Sequence, residues 1–334
     1  MTVLEKSTTS GRPAVLPKGW KTTGWQGISL ATPESWNLVG HGGDEKAGNV
    51  RLDNGETKDS SVLGVEMRWS YVKKSQSDDD LQKRLDQFFT NIRNSSKRQK
   101  ITVDTKSRAI DSDNHPERSA VRSFQWKADR KGTGRIWYCN ECKRLVIVQM
   151  VSGLKGDQSA VAHDVMESIS CHSETDNWRA WSLYDLNTAI PADYKLKGQP
   201  QLLNIFVALT FERQLHEKIV VEQWGVANVQ LRNKYLDEWY REKSSELLYG
   251  MKSEITESEA QGHPAIRVTG KMWGLTYWIG KALPQLLRFQ RPAPHYAACL
   301  WECPDTNKIH QVQVFARRPC AEVVTEIVER TRCH

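Results

Sequence analysis

The stretch Ile136-Trp-Tyr-Cys-Asn-Glu-Cys-Lys-Arg-Leu-Val-Ile-Val-Gln149 returns near the end of the chain as Leu300-Trp-Glu-Cys-Pro-Asp-Thr-Asn-Lys-Ile-His-Gln-Val-Gln313. Laid together without a gap, Trp137 falls on Trp301, Cys139 on Cys303, Arg144 on Lys308, Val148 on Val312 and Gln149 on Gln313. Further matches follow in the same order. Pro33-Glu-Ser-Trp36 matches Pro191-Ala-Asp-Tyr194, and Val65-Glu-Met-Arg-Trp69 matches Val220-Val-Glu-Gln-Trp224. His115-Pro116 matches His263-Pro264, Trp126 matches Trp273, and Ser170-Cys-His172 matches Arg332-Cys-His334. Internal repetition of this kind reads as a tandem duplication. The expected organisation is a flexible lead-in over residues 1–20, a first domain over 21–172 and a second over 178–334, with an insertion near 278–295.

Composition agrees with two folded domains. The 334 residues include 13 Trp, 9 Tyr and 7 Phe, too many large apolar rings for a disordered chain. Several tryptophans pair between the copies. Trp20, Trp25, Trp178, Trp181, Trp239 and Trp278 do not, and mark where the copies differ and where a working surface is expected. Lys and Arg number 47 against 40 Asp and Glu, a net charge of +7 spread thinly along the chain. A nucleic-acid binder concentrates its positive charge on one face or tail, so nucleic acid is a disfavoured partner. No apolar run reaches the roughly 18 residues of a membrane span. Met1 to Lys18 lacks the apolar segment of a secretory signal, so a cytoplasmic location and reduced cysteines are expected.

Within each copy the pattern predicts strands, a long helix, a meander and a short last helix. Asp78-Asp-Asp80 opens the first long helix, with Leu81, Leu85, Phe88, Phe89 and Ile92 on one face. Val229 to Leu248 is its expected counterpart, with Leu231, Tyr235 and Trp239 in a stripe. Ser159 to Ile169 and Val323 to Val328 close the two copies. The class is α+β, helices on an antiparallel sheet.

This order, with Leu30-Ala-Thr-Pro33-Glu-Ser-Trp36 in one copy and Thr188-Ala-Ile-Pro191-Ala-Asp-Tyr194 in the other, resembles the PsbP-like fold. That fold is shared by the photosystem PsbP protein, the lipoprotein DcrB and the Ran-release factor. The resemblance implies tandem α/β/α sandwiches and a non-enzymatic role as adaptor, assembly component or secretion-type chaperone. The chain lacks the lipobox of DcrB and a thylakoid-targeting segment, so no single member's function carries across.

The recurrent polar set is His115, Cys139, Cys171 and His172 in the first copy and His263, Cys303, Cys333 and His334 in the second. Thiolate and imidazole suit zinc. The same residues also read as small buried hydrophobes, or as the pairs Cys139–Cys171 and Cys303–Cys333 in an oxidising compartment. Cys139 and Cys142 form a CxxC, but Cys303-Pro-Asp-Thr306 lacks its second cysteine, which argues against a CxxC site. No Gly-rich phosphate loop, HExxH or GxSxG motif is present.

The reading is therefore a non-catalytic protein-interaction protein with a protein partner or larger assembly. It calls for no cofactor, zinc being the ion the Cys/His set would take. A zinc- or thiol-dependent enzyme and a single-stranded nucleic-acid binder are the alternatives. The apolar insertion supplies the expected partner-binding residues, Trp278, Leu283, Leu286, Leu287 and Phe289.

Overall fold

A computed structural model describes residues 17–333, apart from 56–63, 98–99, 111–114, 155–158, 173–176, 199, 204, 214–216, 249–250 and 273–292. It divides into two compact units, Met1–Ser173 and Glu174–His334. The insertion residues Trp278, Leu283, Leu286, Leu287 and Phe289, together with Trp273 and His334, lie outside the described residues.

The first unit opens with a hairpin of β1 (Trp20–Trp25) and β2 (Ile28–Pro33). It continues with β3 (Asn37–Gly43), β4 (Ala47–Asp53), β5 (Gly64–Tyr71), α1 (Asp78–Lys97), β6 (Asp104–Ala109), β7 (Arg118–Lys127), β8 (Arg130–Cys139), β9 (Arg144–Gly153) and α2 (Ser159–Glu167). Strands β3 to β9 form one sheet in the order β3-β4-β5-β9-β8-β7-β6, every pair antiparallel.

Helix α1 starts where the sequence places its acids. Ser77 and Asp80 cap each other: the Ser77 hydroxyl accepts from the Asp80 amide at 3.2 Å, and the Asp80 carboxylate accepts from the Ser77 amide at 3.1 Å. Its apolar stripe, Leu81, Leu85 and Phe89, is buried on Phe124, Ile136 and Leu145 of the sheet. Ile136 faces α1, so by strand alternation Trp137 and Cys139 both turn to the opposite face. The opposite face is covered by α2, which also packs on β2.

The second unit has its own hairpin, β10 (Trp178–Leu183) and β11 (Leu186–Pro191). Then come β12 (Lys195–Leu196), β13 (Gln201–Leu203), β14 (Phe206–Arg213), β15 (Glu217–Gly225), α3 (Ala227–Leu231), α4 (Leu236–Lys243), α5 (Ser245–Leu248), β16 (Met251–Ala260), β17 (His263–Met272), β18 (His295–Cys303), β19 (Lys308–Ala316) and α6 (Ala321–Glu329). The sheet order is β12-β14-β15-β19-β18-β17-β16, with β13 also on β14. Tyr296, Ala298 and Leu300 of β18 pack with Trp239 and Tyr240 of α4, and α6 packs on β18, β19 and β11. Within each unit the sheet thus carries helices, and the helix, the meander and the last helix come in the same order.

Several expectations change. The sequence reads Gly27 to Val39 as the first strand region, broken at Pro33, and β2 and β3 fall there. Strands β1 and β10, which pair with the strands leading into Pro33 and Pro191, are additional, and β1 takes in Trp20 at the end of the expected lead-in. Trp20 and Trp178 do match: each stands opposite a proline, Pro33 and Pro191, at the same place in its hairpin. Trp25, Trp181 and Trp239 are core residues rather than surface ones. The helix expected over Val229 to Leu248 is broken, because Arg232 and Asn233 take left-handed backbone, φ 47° and 64°. Tyr235 then sits at the start of α4, 78% exposed and outside the stripe, with its amide donating to Glu238 at 3.1 Å.

One glycine fixes the sheet under α1. Gly134 pairs with Phe124, whose ring lies over it. An added Cβ would meet the Val148 carbonyl oxygen at 2.2 Å and Phe124 Cζ at 2.4 Å. The first is backbone and cannot give way. Gly134→Ala is expected to destabilise the protein by about 1–3 kcal/mol in urea unfolding. Gly40→Ala, whose methyl would meet only Arg51 Cβ at 3.7 Å, is the control. Equal stability of the two variants would contradict this packing.

Candidate metal centre

Strand β8 ends on Cys139, the chain turns through Asn140, Glu141, Cys142 and Lys143, and β9 starts at Arg144. Lys143 takes φ 55°, which closes the turn tightly enough to bring the Cys142 side chain back toward Cys139. The other half of the site comes from beyond α2. Ser170 forms an isolated bridge with Ser29 of β2, with amide-to-carbonyl bonds of 2.9 and 3.0 Å. Arg144 then fixes the next residue: its guanidinium donates to the carbonyls of Cys171 at 3.0 Å, Gln26 at 2.9 Å and Glu45 at 3.0 Å. Arg118, lying over the Trp137 ring, donates to the Ile169 carbonyl at 2.8 Å.

The result is a cluster of Cys139, Cys142, Cys171 and His172 whose ligand atoms all lie within 4.8 Å of one another. His172 Nδ1 is 3.5 Å from the Cys139 sulfur and 3.5 Å from the Cys171 sulfur, and the Cys142 and Cys171 sulfurs are 3.8 Å apart. A tetrahedron with zinc–sulfur bonds of about 2.3 Å and a zinc–nitrogen bond of about 2.0–2.1 Å has S···S edges of about 3.8 Å and S···N edges of about 3.5 Å. The other ring nitrogen of His172, Nε2, lies 2.6 Å from the Glu141 carboxylate. That is the carboxylate–histidine arrangement that orients a metal-binding imidazole.

The electrostatics point the same way. Hydrogen bonds from Cys142 and Cys171 hold the Cys139 thiol far below the ordinary thiol range. Hydrogen bonds with Cys139 and Cys142 push His172 up to about 10, and those with Cys139 and Cys142 raise Cys171. Packed this closely, the Cys139 thiol is pulled toward its charged form and the imidazole of His172 toward its protonated form. A divalent cation in place of those protons satisfies every donor at once.

In the second unit His263, Cys303 and Cys333 come together, again within 4.8 Å. The terminal segment is held as in the first unit: Arg332 bridges Asn187 of β11, and the buried hydroxyls of Thr331 and Thr188 bond at 2.8 Å. Cys299 and Cys320 stay out of this cluster. Burial pushes their thiols up to about 11 and about 12, as for inert core cysteines. None of the seven cysteines is in a disulfide.

The sequence-derived set is therefore placed unevenly. Cys139, Cys171 and His172 converge, and so do His263, Cys303 and Cys333. His115 stays outside the first cluster, its Nδ1 3.2 Å from Glu117. His334 is not among the described residues. Cys142, set aside because Thr306 replaces it in the second copy, belongs to the first cluster. The signal that could have found it was the CxxC itself.

Register explains the difference. Arg118 pairs with Cys139. In the second unit Ala265 pairs with Trp301, so two residues back along β17 His263 lies across from Cys303. His263 thus occupies the place of Arg118, not that of His115. Trp69 and Trp224 are likewise one position apart: Trp69 pairs with Val146, Trp224 with Ile309, the counterpart of Leu145.

No family model matches the chain, and no curated protein matches it. Among solved structures, one similar chain is immunity protein TplEi of T6SS from Pseudomonas aeruginosa, complexed with "L" peptide. It is 11% identical, the match covers 95% of this chain and 98% of that chain, and the TM-score is 0.31, too low to speak for a shared fold.

Arg144→Met is expected to cost about 3 kcal/mol in urea unfolding, since it strips three carbonyls of a charged donor. Arg144→Lys is not expected to restore it, because an ammonium lacks the planar fork that reaches all three. Full rescue by lysine would show that charge alone, and not the fork, positions Cys171.

Proposed function

We propose that the first unit binds a structural zinc ion on Cys139, Cys142, Cys171 and His172, and that the chain is a non-catalytic protein that works by binding protein partners. The observation that carries the reading is the closed donor set. Four protein side chains within 4.8 Å of one another can supply all four corners of a tetrahedral site, which would leave no position for the water or substrate that a catalytic zinc requires. Such an ion contributes folding energy by tying the β8–β9 turn to the segment after α2.

Further parts belong to the same proposal. The two units descend from one duplicated domain: the element order, the paired hairpins and the terminal bridge to the hairpin's second strand support this. The likeness to PsbP-like domains rests on that element order and on the Pro33 and Pro191 segments. The partner surface lies outside the metal cluster, whose Cys139 and Cys171 are buried. Among the described residues, exposed Ile205, Val226 and Val229 stand together at the corner between β14, β15 and α3, and suit a protein contact. No described helix is long and apolar enough to cross a membrane.

The test is metal content. Full-length protein purified without chelator is expected to hold zinc, and Cys139→Ser, Cys142→Ser or Cys171→Ser each to lose the first unit's ion. Glu141→Ala should leave the ion in place but weaken its binding about 10-fold in a competition titration. Zinc content untouched by all three serine variants would overturn the metal reading. For the interaction reading the measurement is size: protein purified from its own host should run well above its 38.2 kDa with a bound protein. A strictly monomeric chain with nothing bound counts against that half alone.

A further inference from the structure

The second unit keeps two of the first unit's sulfurs but not its third. Cys303 ends β18 as Cys139 ends β8, and Cys333 follows α6 as Cys171 follows α2. Thr306 stands at the position of Cys142, its hydroxyl buried and without a hydrogen-bond partner among the described residues. No thiol stands at that corner. The neighbouring strand supplies an imidazole in its stead, His263, at the place where the first unit carries Arg118.

The charges change in step with the ligands. Three thiolates and a neutral imidazole around a divalent cation leave one net negative charge, and two thiolates leave none. In the first unit two arginines stand beside the cluster, Arg118 paired with Cys139 and Arg144 bonded to the Cys171 carbonyl. In the second unit the first of these positions is His263. The second is Lys308, whose ammonium lies 3.1 Å from Asp185. The second unit thus has one thiol fewer in its cluster and an imidazole where the first has a guanidinium.

We infer that His263, Cys303 and Cys333 form a second site for a thiophilic divalent cation such as zinc, with a ligand set different from that of the first unit. Cys303 and Cys333 are 0% and 6% exposed, so the donors are shielded from bulk water while the imidazole enters from the strand beside them. Among the described residues this site has three protein donors. The inference goes beyond the zinc of the first unit and stands or falls separately.

The experiment is zinc analysis of the full-length protein and its variants, with folding checked by circular dichroism. Two zinc ions per chain are expected. His263→Ala or Cys303→Ser should halve the content, Cys139→Ser should halve it by removing the other ion, and Cys299→Ser should leave both. A chain with one ion, lost in Cys139→Ser and kept in Cys303→Ser and His263→Ala, overturns this site and leaves the first standing. One ion with the reverse pattern upholds this site and removes the first. No ion at all removes both. Should the second-unit variants fail to fold, cobalt added to the metal-free wild-type chain decides. Two binding steps with sulfur-to-cobalt absorption in a ratio near three to two are expected, and a single three-sulfur step overturns the inference.

Discussion

The guanidinium of Arg144 joins three pieces of chain that are far apart in sequence: the β1–β2 turn at Gln26, the turn after β3 at Glu45, and Cys171 beyond α2. Each bond is to a backbone carbonyl, so it fixes the path of the main chain and not merely a side chain. A buried guanidinium is costly unless its donors are met, and one that satisfies three carbonyls makes that arrangement hard to exchange for another. Arg144 is also the first residue of β9, two beyond Cys142. The strand that carries it into the sheet therefore sets the distance between the β8–β9 turn and the terminal segment. The cysteine–histidine cluster is a consequence of that distance.

The protein fixes the backbone on both sides of the cluster before any ion is considered, through Arg144, Arg118 and the Ser29–Ser170 bridge. A cation bound there adds bonds across an interface that is already aligned, so its binding energy appears as stability. Glu141 extends the same logic outward, because its carboxylate holds His172 by the nitrogen that does not face the sulfurs.

Much of this architecture is legible in the sequence, and the parts that are not have specific causes. Helix α1 is legible because its acids, its 3.6-residue stripe and its cap coincide on the same twenty residues. The meander β7–β9 is legible from its β-branched and aromatic runs. The broken helix of the second unit is not, because a stripe of Leu231, Tyr235 and Trp239 looks continuous while Arg232 and Asn233 take left-handed backbone between them. The hairpin tryptophans Trp20 and Trp178 go unmatched because their neighbours diverge, whereas their cross-strand prolines agree.

The cysteines and histidines show a deeper limit. Matching His115-Pro116 to His263-Pro264 is correct as spelling and wrong as structure. In the first unit β6 ends at Ala109 and β7 starts at Arg118, whereas β16 ends at Ala260 and β17 starts at His263, so His115 precedes its strand while His263 opens one, and a register irregularity between Arg118 and Ala120 shifts the pairing by one more residue. A one-residue slip in a strand turns a side chain to the other face, so a letter-by-letter alignment cannot follow a functional group through a bulge. The strand cysteines Cys139 and Cys303 could be paired with confidence because the turn beyond each keeps its length: Lys143 and Asn307 close the two turns with φ of 55° and 52°. Where the backbone keeps such a landmark, identity of residue predicts identity of place. Where it does not, the chemistry moves to whichever neighbour the register brings opposite, and His263 opposite Cys303 is that neighbour.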